Sequence, residues 1–143
     1  MKKVFKKVTA LVAATIVISS VSAIGAGAVT LDKTFNMENS YLTSTQTYGY
    51  DSSTNTTFAT NLTKCKFDGY TGILSGAELN NGKNTTYSNA TNFRPTADKG
   101  SFLKVKAQKD RNYEGMFAKY WSYVSDKNGN TKGEIEKIRK IVF

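Results

Sequence analysis

Lysines and large aromatic residues alternate between residues 102 and 124, and they are the side chains with the clearest capacity to bind a ligand. The candidate ligand-binding residues are Lys104, Lys106, Phe117, Lys119, Trp121 and Tyr123. An ammonium group attracts anions, and an aromatic face stacks on flat rings or sugars and attracts cations. This combination predicts a site that binds an anionic polymer or a glycan without transforming it.

The turn between the two strands predicted at 101–108 and 113–125 determines whether this site exists as one surface. A two-residue turn at Arg111-Asn112 places Trp121 outside, on the same face as the two lysines of the first strand. A three-residue turn at 110–112 places Trp121 in the core, because a slip of one residue reverses every side chain of a strand. We favour the buried arrangement for Trp121, and the exposed one remains the basis of the candidate site.

The residue types that most enzymes use are scarce. The chain has no histidine and a single cysteine, Cys65, which excludes histidine-based triads and zinc or iron–sulfur sites. Paired carboxylates suffice for glycoside hydrolysis, but the acidic residues fall mostly in turns or among basic residues. We therefore expect no enzymatic activity, no metal and no cofactor. We expect Cys65 to be a small buried residue rather than a reactive thiol.

The first 28 residues have the pattern of a secretory signal peptide. Four lysines between residues 2 and 7 precede an apolar run at about 8–21, and Ala26-Gly27-Ala28 provides an A-x-A cleavage site. The run is shorter than the about 20 residues of a membrane-spanning helix. The sequence predicts export with cleavage after Ala28, or alternatively after Ala23. Residues 29–143 then form a single secreted or envelope-associated domain, and the absence of disulfides in it suggests a bacterial source.

Positive charge is concentrated at the end of the chain. Residues 99–143 carry 11 basic and 5 acidic residues, whereas residues 29–98 carry 5 basic and 6 acidic residues. Such asymmetry indicates an anionic partner or contributes only to solubility. We expect no nucleic acid partner, because an exported protein rarely meets one and no recognition motif is present. The pattern leaves the oligomeric state open.

Short segments rich in Thr, Tyr, Phe and Val, separated by Gly and Asn, predict β-strands. The predicted strands are 40–50, 56–68, 70–79, 84–93, 101–108 and 113–125. Alternation places three sets of side chains each on a common face: Ala59, Cys65 and Phe67; Ile73, Ala77 and Leu79; and Leu103, Val105 and Ala107, the clearest core set. Hairpin turns are predicted at Asp68-Gly69, at 80–83 and at 126–130.

The last segment, 134–143, fits both a strand and a short helix. We favour the strand, because the segment follows a hairpin turn and a short helix is marginal on its own. About seven short strands with frequent turns predict an all-β fold, a small antiparallel β-sandwich. A small β-barrel is the alternative.

Two functions are compatible with these features. The first is a non-enzymatic binding protein of the extracellular space or cell envelope, whose basic third contacts an anionic cell-wall polymer, a glycan or a membrane surface. The alternative is a secreted antimicrobial protein that acts on a neighbouring cell's envelope, because a cleavable signal before a cationic β-domain without disulfides resembles small exported bacteriocins. Killing by the purified protein distinguishes the second from the first.

Overall fold

The described part of the molecule consists of strands and connecting loops. A computed structural model describes residues 13–17, 22–23 and 29–143, with side chains from residue 30 onward. The strands are β1 (Ala13–Val17), β2 (Ser22–Ala23), β3 (Val29–Glu38), β4 (Leu42–Asp51), β5 (Thr56–Cys65), β6 (Gly72–Asn80), β7 (Thr86–Arg94), β8 (Phe102–Lys109), β9 (Phe117–Ser125) and β10 (Thr131–Lys140). No helix in the described residues is long and apolar enough to cross a membrane.

Two antiparallel sheets face each other. Sheet 1 has the order β1-β3-β4-β5-β8, with β2 also paired to β3, and sheet 2 has the order β10-β9-β6-β7. The sheets stay separate rather than closing into a barrel, so the predicted all-β sandwich is confirmed. The six predicted strands between residues 40 and 125 correspond to β4 through β9, and the strand at the end of the chain is confirmed as β10.

The strand β3 was not predicted. Its side chains alternate, but Lys33 pairs with the inward-facing Tyr48 and interrupts the apolar row that otherwise contains Phe35 and Met37. The predicted signal peptide lies mostly outside the described residues, including the cleavage site after Ala28. Only β1 and β2 of that segment are described, both paired with β3, and cleavage there remains a prediction.

One predicted hairpin is wrong. Asp68-Gly69 does not join two paired strands, because the chain crosses there from β5 in sheet 1 to β6 in sheet 2. The Thr71 N–H group donates to the Ser125 carbonyl at 2.9 Å and thereby starts β6 beside β9. A glycine in a tight turn predicts a change of direction, and it does not specify whether the next strand pairs or crosses. The hairpins predicted at 80–83 and 126–130 are confirmed as β6–β7 and β9–β10.

The space between the sheets contains two apolar clusters. The first contains Tyr48, Ala59, Ala77, Leu79, Val105, Ala107, Tyr113, Ala118, Tyr120 and Ile141. The second contains Met37, Leu42, Cys65, Ile73, Ala97, Val124 and Ile135. The predicted core residues are confirmed with few exceptions, of which Phe67 is the largest: it lies beyond the end of β5 and is 54% exposed.

Buried polar side chains connect the two sheets between these clusters. Asn61 projects inward from β5, and its side-chain nitrogen donates to the Gly76 carbonyl (3.1 Å), the Trp121 carbonyl (3.1 Å) and Ser122 Oγ (3.0 Å), all in sheet 2. Its side-chain oxygen accepts from Ser44 Oγ at 2.8 Å. Buried amides are tolerated when they are hydrogen-bonded, and here the bonds cross the interface between the sheets.

The remaining members extend this network, which we call the polar belt. Thr63 Oγ1 donates to Ser75 Oγ at 2.9 Å and lies 2.7 Å from Ser122 Oγ. Towards β3, Gln46 Oε1 accepts from Arg139 Nε at 3.3 Å. The Arg139 guanidinium also stacks on the Phe35 ring, 3.8 Å from its centroid. The belt therefore runs from the middle of the sandwich to its side.

Replacing Asn61 tests whether the polar belt holds the sheets together. We expect Asn61→Ala to lower the free energy of unfolding by about 2–4 kcal/mol, because it leaves several buried groups without partners. Asn36→Ala, at an exposed position of β3, is the control and should change it by less than about 0.5 kcal/mol. Urea denaturation measures both, and equal effects of the two substitutions would contradict the prediction.

The hydroxyl of Tyr120 is buried and has no hydrogen-bond partner among the described residues. Burial raises the pKa of Tyr120 and also that of the Cys65 thiol. As the pH rises above about 8.5, the unfolded chain therefore loses these protons first, and the folded state loses stability.

Tyr120→Phe should leave the protein as stable or more stable at pH 7. It removes a hydroxyl group that is desolvated on folding and gains no hydrogen bond in return. The variant should also lose less stability than the wild type when the pH is raised from about 8 to about 11, since one of the groups whose pKa is raised by burial is gone. Urea denaturation across this pH range checks both expectations. A variant that is less stable at pH 7 would show that the hydroxyl does have a stabilising partner.

Candidate functional site

The structure divides the predicted ligand-binding residues between two opposite surfaces. Lys104 and Lys106 lie on the outer face of sheet 1, whereas the others lie on the outer face of sheet 2, namely Phe117, Lys119, Trp121 and Tyr123. Residues 110–116 do not form a hairpin but carry the chain from one sheet to the other. Within them Tyr113 is buried, and its N–H group donates to Thr57 Oγ1 at 3.1 Å. A single surface made of all six residues is therefore ruled out.

The favoured burial of Trp121 in the core is also wrong. The inward row of β9 is Ala118, Tyr120, Ser122 and Val124, all fully buried. Trp121 lies half-buried on the outer face of sheet 2, with its indole ring directly over Gly76. A Cβ atom at Gly76 would overlap the Trp121 indole ring. The ring is thus packed against the backbone of the neighbouring strand.

This contact requires a glycine at residue 76. Gly76→Ala should lower the free energy of unfolding by about 1–3 kcal/mol, because the added methyl group displaces the indole ring. The same substitution in a Trp121→Ala background should cost less, and the difference between the two measures the coupling. Urea denaturation of the four proteins in this cycle provides the values. Equal costs in both backgrounds would mean that the ring does not occupy this position.

Lysines gather at the β5–β8 side of sheet 1. We call this group the lysine stripe, and its members are Lys64, Lys66, Lys99, Lys104 and Lys106. Alternation along β8 directs Lys104 and Lys106 outward, and the pairing of Lys64 with Phe102 brings β5 into the same surface. At the end of the stripe, Lys64, Lys66 and Lys99 line a groove of about 670 Å³.

Most of the stripe lacks a carboxylate partner. Lys66 Nζ lies 3.4 Å from Glu38 Oε2 and donates to the Asn39 carbonyl at 3.0 Å. In the described part of the chain, none of the other four lysines forms an ion pair with a carboxylate. Lys106 instead lies over the ring of Phe58, 5.1 Å from its centroid. The stripe is therefore a surface of positive charge that its own neighbours compensate only at one end.

Threonines cover the outer face of sheet 1 beside the stripe. Thr34, Thr47 and Thr60 are in register on three adjacent strands, in the same row as Lys106. Thr34 Oγ1 and Thr47 Oγ1 lie 2.9 Å apart. Neighbouring strands are about 4.8 Å apart, so hydroxyl groups repeat across the face at that interval. These threonines offer hydrogen bonds but no charge.

The lysine of the other surface is neutralised. Lys119 Nζ lies 3.5 Å from Glu136 Oε1 and 5.9 Å from the centre of the Trp121 ring. Both partners of the Lys119 ammonium group therefore lie within sheet 2. Of the three predicted lysines, Lys104 and Lys106 therefore lack a carboxylate partner in the described structure, whereas Lys119 has one.

Sequence reasoning missed Lys64, Lys66 and Lys99 as members of the site. Lys64 and Lys66 flank Cys65 on β5, and Lys99 precedes β8 by three residues. The two segments meet only because β5 pairs with β8, and no local pattern reports a pairing between strands so far apart in sequence. Because Lys64 alternates with the buried Cys65, the sequence could have shown that Lys64 points outward. It could not have shown which lysines of other segments lie beside it.

The described residues contain no group of three or more His, Cys, Asp or Glu side chains that could hold a metal ion. Burial raises the pKa of Cys65, whose sulfur donates a hydrogen bond to the Phe67 carbonyl at 3.0 Å. A buried, protonated thiol is a poor nucleophile.

No protein-family model, curated protein or solved structure matches the chain. Any function is therefore inferred from the chemistry of the surface itself. The lysine stripe is the candidate site, because it combines uncompensated charge, a groove and a rigid sheet beneath it.

Proposed function

We propose that this protein is a secreted, non-enzymatic binding protein of the extracellular space or cell envelope, and that it holds an anionic polymer along the lysine stripe. The observation that supports the proposal is the row of lysines on one side of sheet 1, four of which have no carboxylate partner in the described structure. A surface of this kind binds polyanions mainly by charge.

The spacing suits a polymer with closely repeated charges. Lys104 and Lys106 leave β8 on the same face about 6.6 Å apart, and the adjacent strand β5 adds Lys64 about 4.8 Å to the side. The groove lined by Lys66 and Lys99 continues the row at its end. Phosphate or carboxylate groups of one flexible chain can contact these ammonium groups in succession, while threonine hydroxyls donate hydrogen bonds to its backbone.

The predicted export gives such a surface suitable partners. The envelope of a bacterium with a thick wall contains anionic polymers such as teichoic acids and acidic glycans. The antimicrobial alternative remains a prediction, since none of the described contacts favours it over simple binding.

A pair of charge-neutralising substitutions tests the proposal. Lys104→Gln combined with Lys106→Gln should weaken binding to polyphosphate and to polygalacturonate by about tenfold at low salt, because two of the unpaired charges are lost. Binding by the wild type should also fade as salt is raised, since screening weakens charge-driven contacts. Isothermal titration calorimetry on the purified protein measures both effects.

A variant with the same change in net charge serves as control. Lys83 and Lys127 are exposed in loops of sheet 2, so Lys83→Gln combined with Lys127→Gln should leave affinity within about twofold of the wild type. Equal losses in the two double variants would reduce the effect to net charge and contradict the assignment to the stripe. Binding that is insensitive to salt would contradict it as well.

A further inference from the structure

Two phenylalanines project into solvent at the grooved end of sheet 1. Phe67 is 54% exposed and Phe102 is 58% exposed. Phe67 lines the groove, and Phe102 is paired with Lys64, which lines it too. Exposed single apolar residues are common on protein surfaces, but here two large rings lie at the same end of one sheet. We call this region the aromatic tip.

The backbone holds the aromatic tip in place. The Cys65 N–H group donates to the Ser101 carbonyl at 2.9 Å, and the Gly100 N–H group donates to the Cys65 carbonyl at 3.0 Å. The Lys66 N–H group donates to the Tyr41 carbonyl at 2.9 Å. Both phenylalanines are therefore presented by backbone that is anchored on either side, so that ordering them on a partner costs little conformational entropy.

Positive charge surrounds the tip. Lys64, Lys66 and Lys99 line the groove together with Phe67, and Lys104 follows Phe102 on the same face of β8. Three carboxylates lie in this region. Glu38 pairs with Lys66, and Asp68 accepts a hydrogen bond from the Lys99 N–H group at 2.8 Å. The third, Asp98, lies beside Lys99 in the chain. With Lys106, the five lysines outnumber these carboxylates, and the groove itself is lined by lysines alone among charged residues.

We propose that the aromatic tip docks onto the surface of an anionic lipid bilayer, with Phe67 and Phe102 inserted at the headgroup boundary and the neighbouring lysines against the anionic headgroups. Apolar burial and attraction to anionic lipid together give stable attachment where either alone is weak. Binding of a soluble polyanion accounts for the lysines, but it leaves the two phenylalanine rings exposed to solvent. The inference goes beyond the proposed function, with which it shares only the lysine stripe.

Vesicle sedimentation tests the docking. The purified protein should sediment with vesicles that contain phosphatidylglycerol and not with vesicles of phosphatidylcholine alone. Phe67→Ser combined with Phe102→Ser should lower partitioning onto the anionic vesicles by about tenfold. The matched control replaces two exposed apolar residues of sheet 2, Phe93→Ser combined with Ile138→Ser, and should stay within about twofold of the wild type.

A tryptophan at the tip reports insertion directly. In a Trp121→Phe background, Phe102→Trp should show a blue shift of its emission when anionic vesicles are added. Trp121 of the wild type lies on the opposite sheet and should show none. A shift of Trp121, or an equal loss in the sheet 2 control, would overturn the inference, because either result places another surface on the bilayer.

Binding to polyphosphate, measured on the same variants, separates the two proposals. The Phe67→Ser, Phe102→Ser variant should bind polyphosphate as the wild type does, because its lysines are unchanged. Wild-type protein that binds polyphosphate but not anionic vesicles overturns the membrane inference and leaves the proposed function intact. Protein that binds neither overturns both.

Discussion

The hydrogen bonds of Asn61 set the relation between the two sheets. Apolar contacts alone tolerate a shift of one strand against another, whereas an amide that must meet two carbonyls and a hydroxyl does not. Because Asn61 points inward from β5, Lys64 points outward, and the pairing with β8 then directs Lys104 and Lys106 to the same side. Because the amide reaches the inward-facing Ser122 in sheet 2, the preceding residue, Trp121, is on the outside. The surface chemistry of both faces therefore follows from one buried side chain.

Local alternation and turn chemistry predicted much of this fold. The row Leu103, Val105 and Ala107 lies on the inner face as its pattern indicates, and the Asp126–Asn130 turn joins β9 and β10 as expected. Such patterns give the wrong prediction where a strand buries polar side chains. Asn61 and Gln46 occupy inward positions although their polarity alone would assign them to solvent, and only the bonds made by the folded chain explain why they are buried there.

The candidate site was less accessible to prediction than the fold. Two lysines were recognised from β8 itself, but they were joined to Trp121 on the assumption that neighbours in sequence pair in space. In a sandwich the chain repeatedly crosses between sheets, so β8 instead meets β5, which ends at Cys65. Phe67 was assigned to the face that contains Cys65, yet the strand ends before it and the side chain turns outward. Pairing over long sequence separations, rather than side-chain type, was the missing information.

The outer face of sheet 1 is electrically asymmetric. Lysines occupy β8, whereas Asp32 lies on β3, three strands away across a row of uncharged threonines, and Glu38 of β3 is already paired with Lys66. The separation of about 14 Å between Asp32 and the β8 lysines gives this face a dipole moment. We expect that near a negatively charged surface the resulting torque would turn the molecule so that β8 faces the surface and β3 points away from it. Its orientation would then be set before any contact forms.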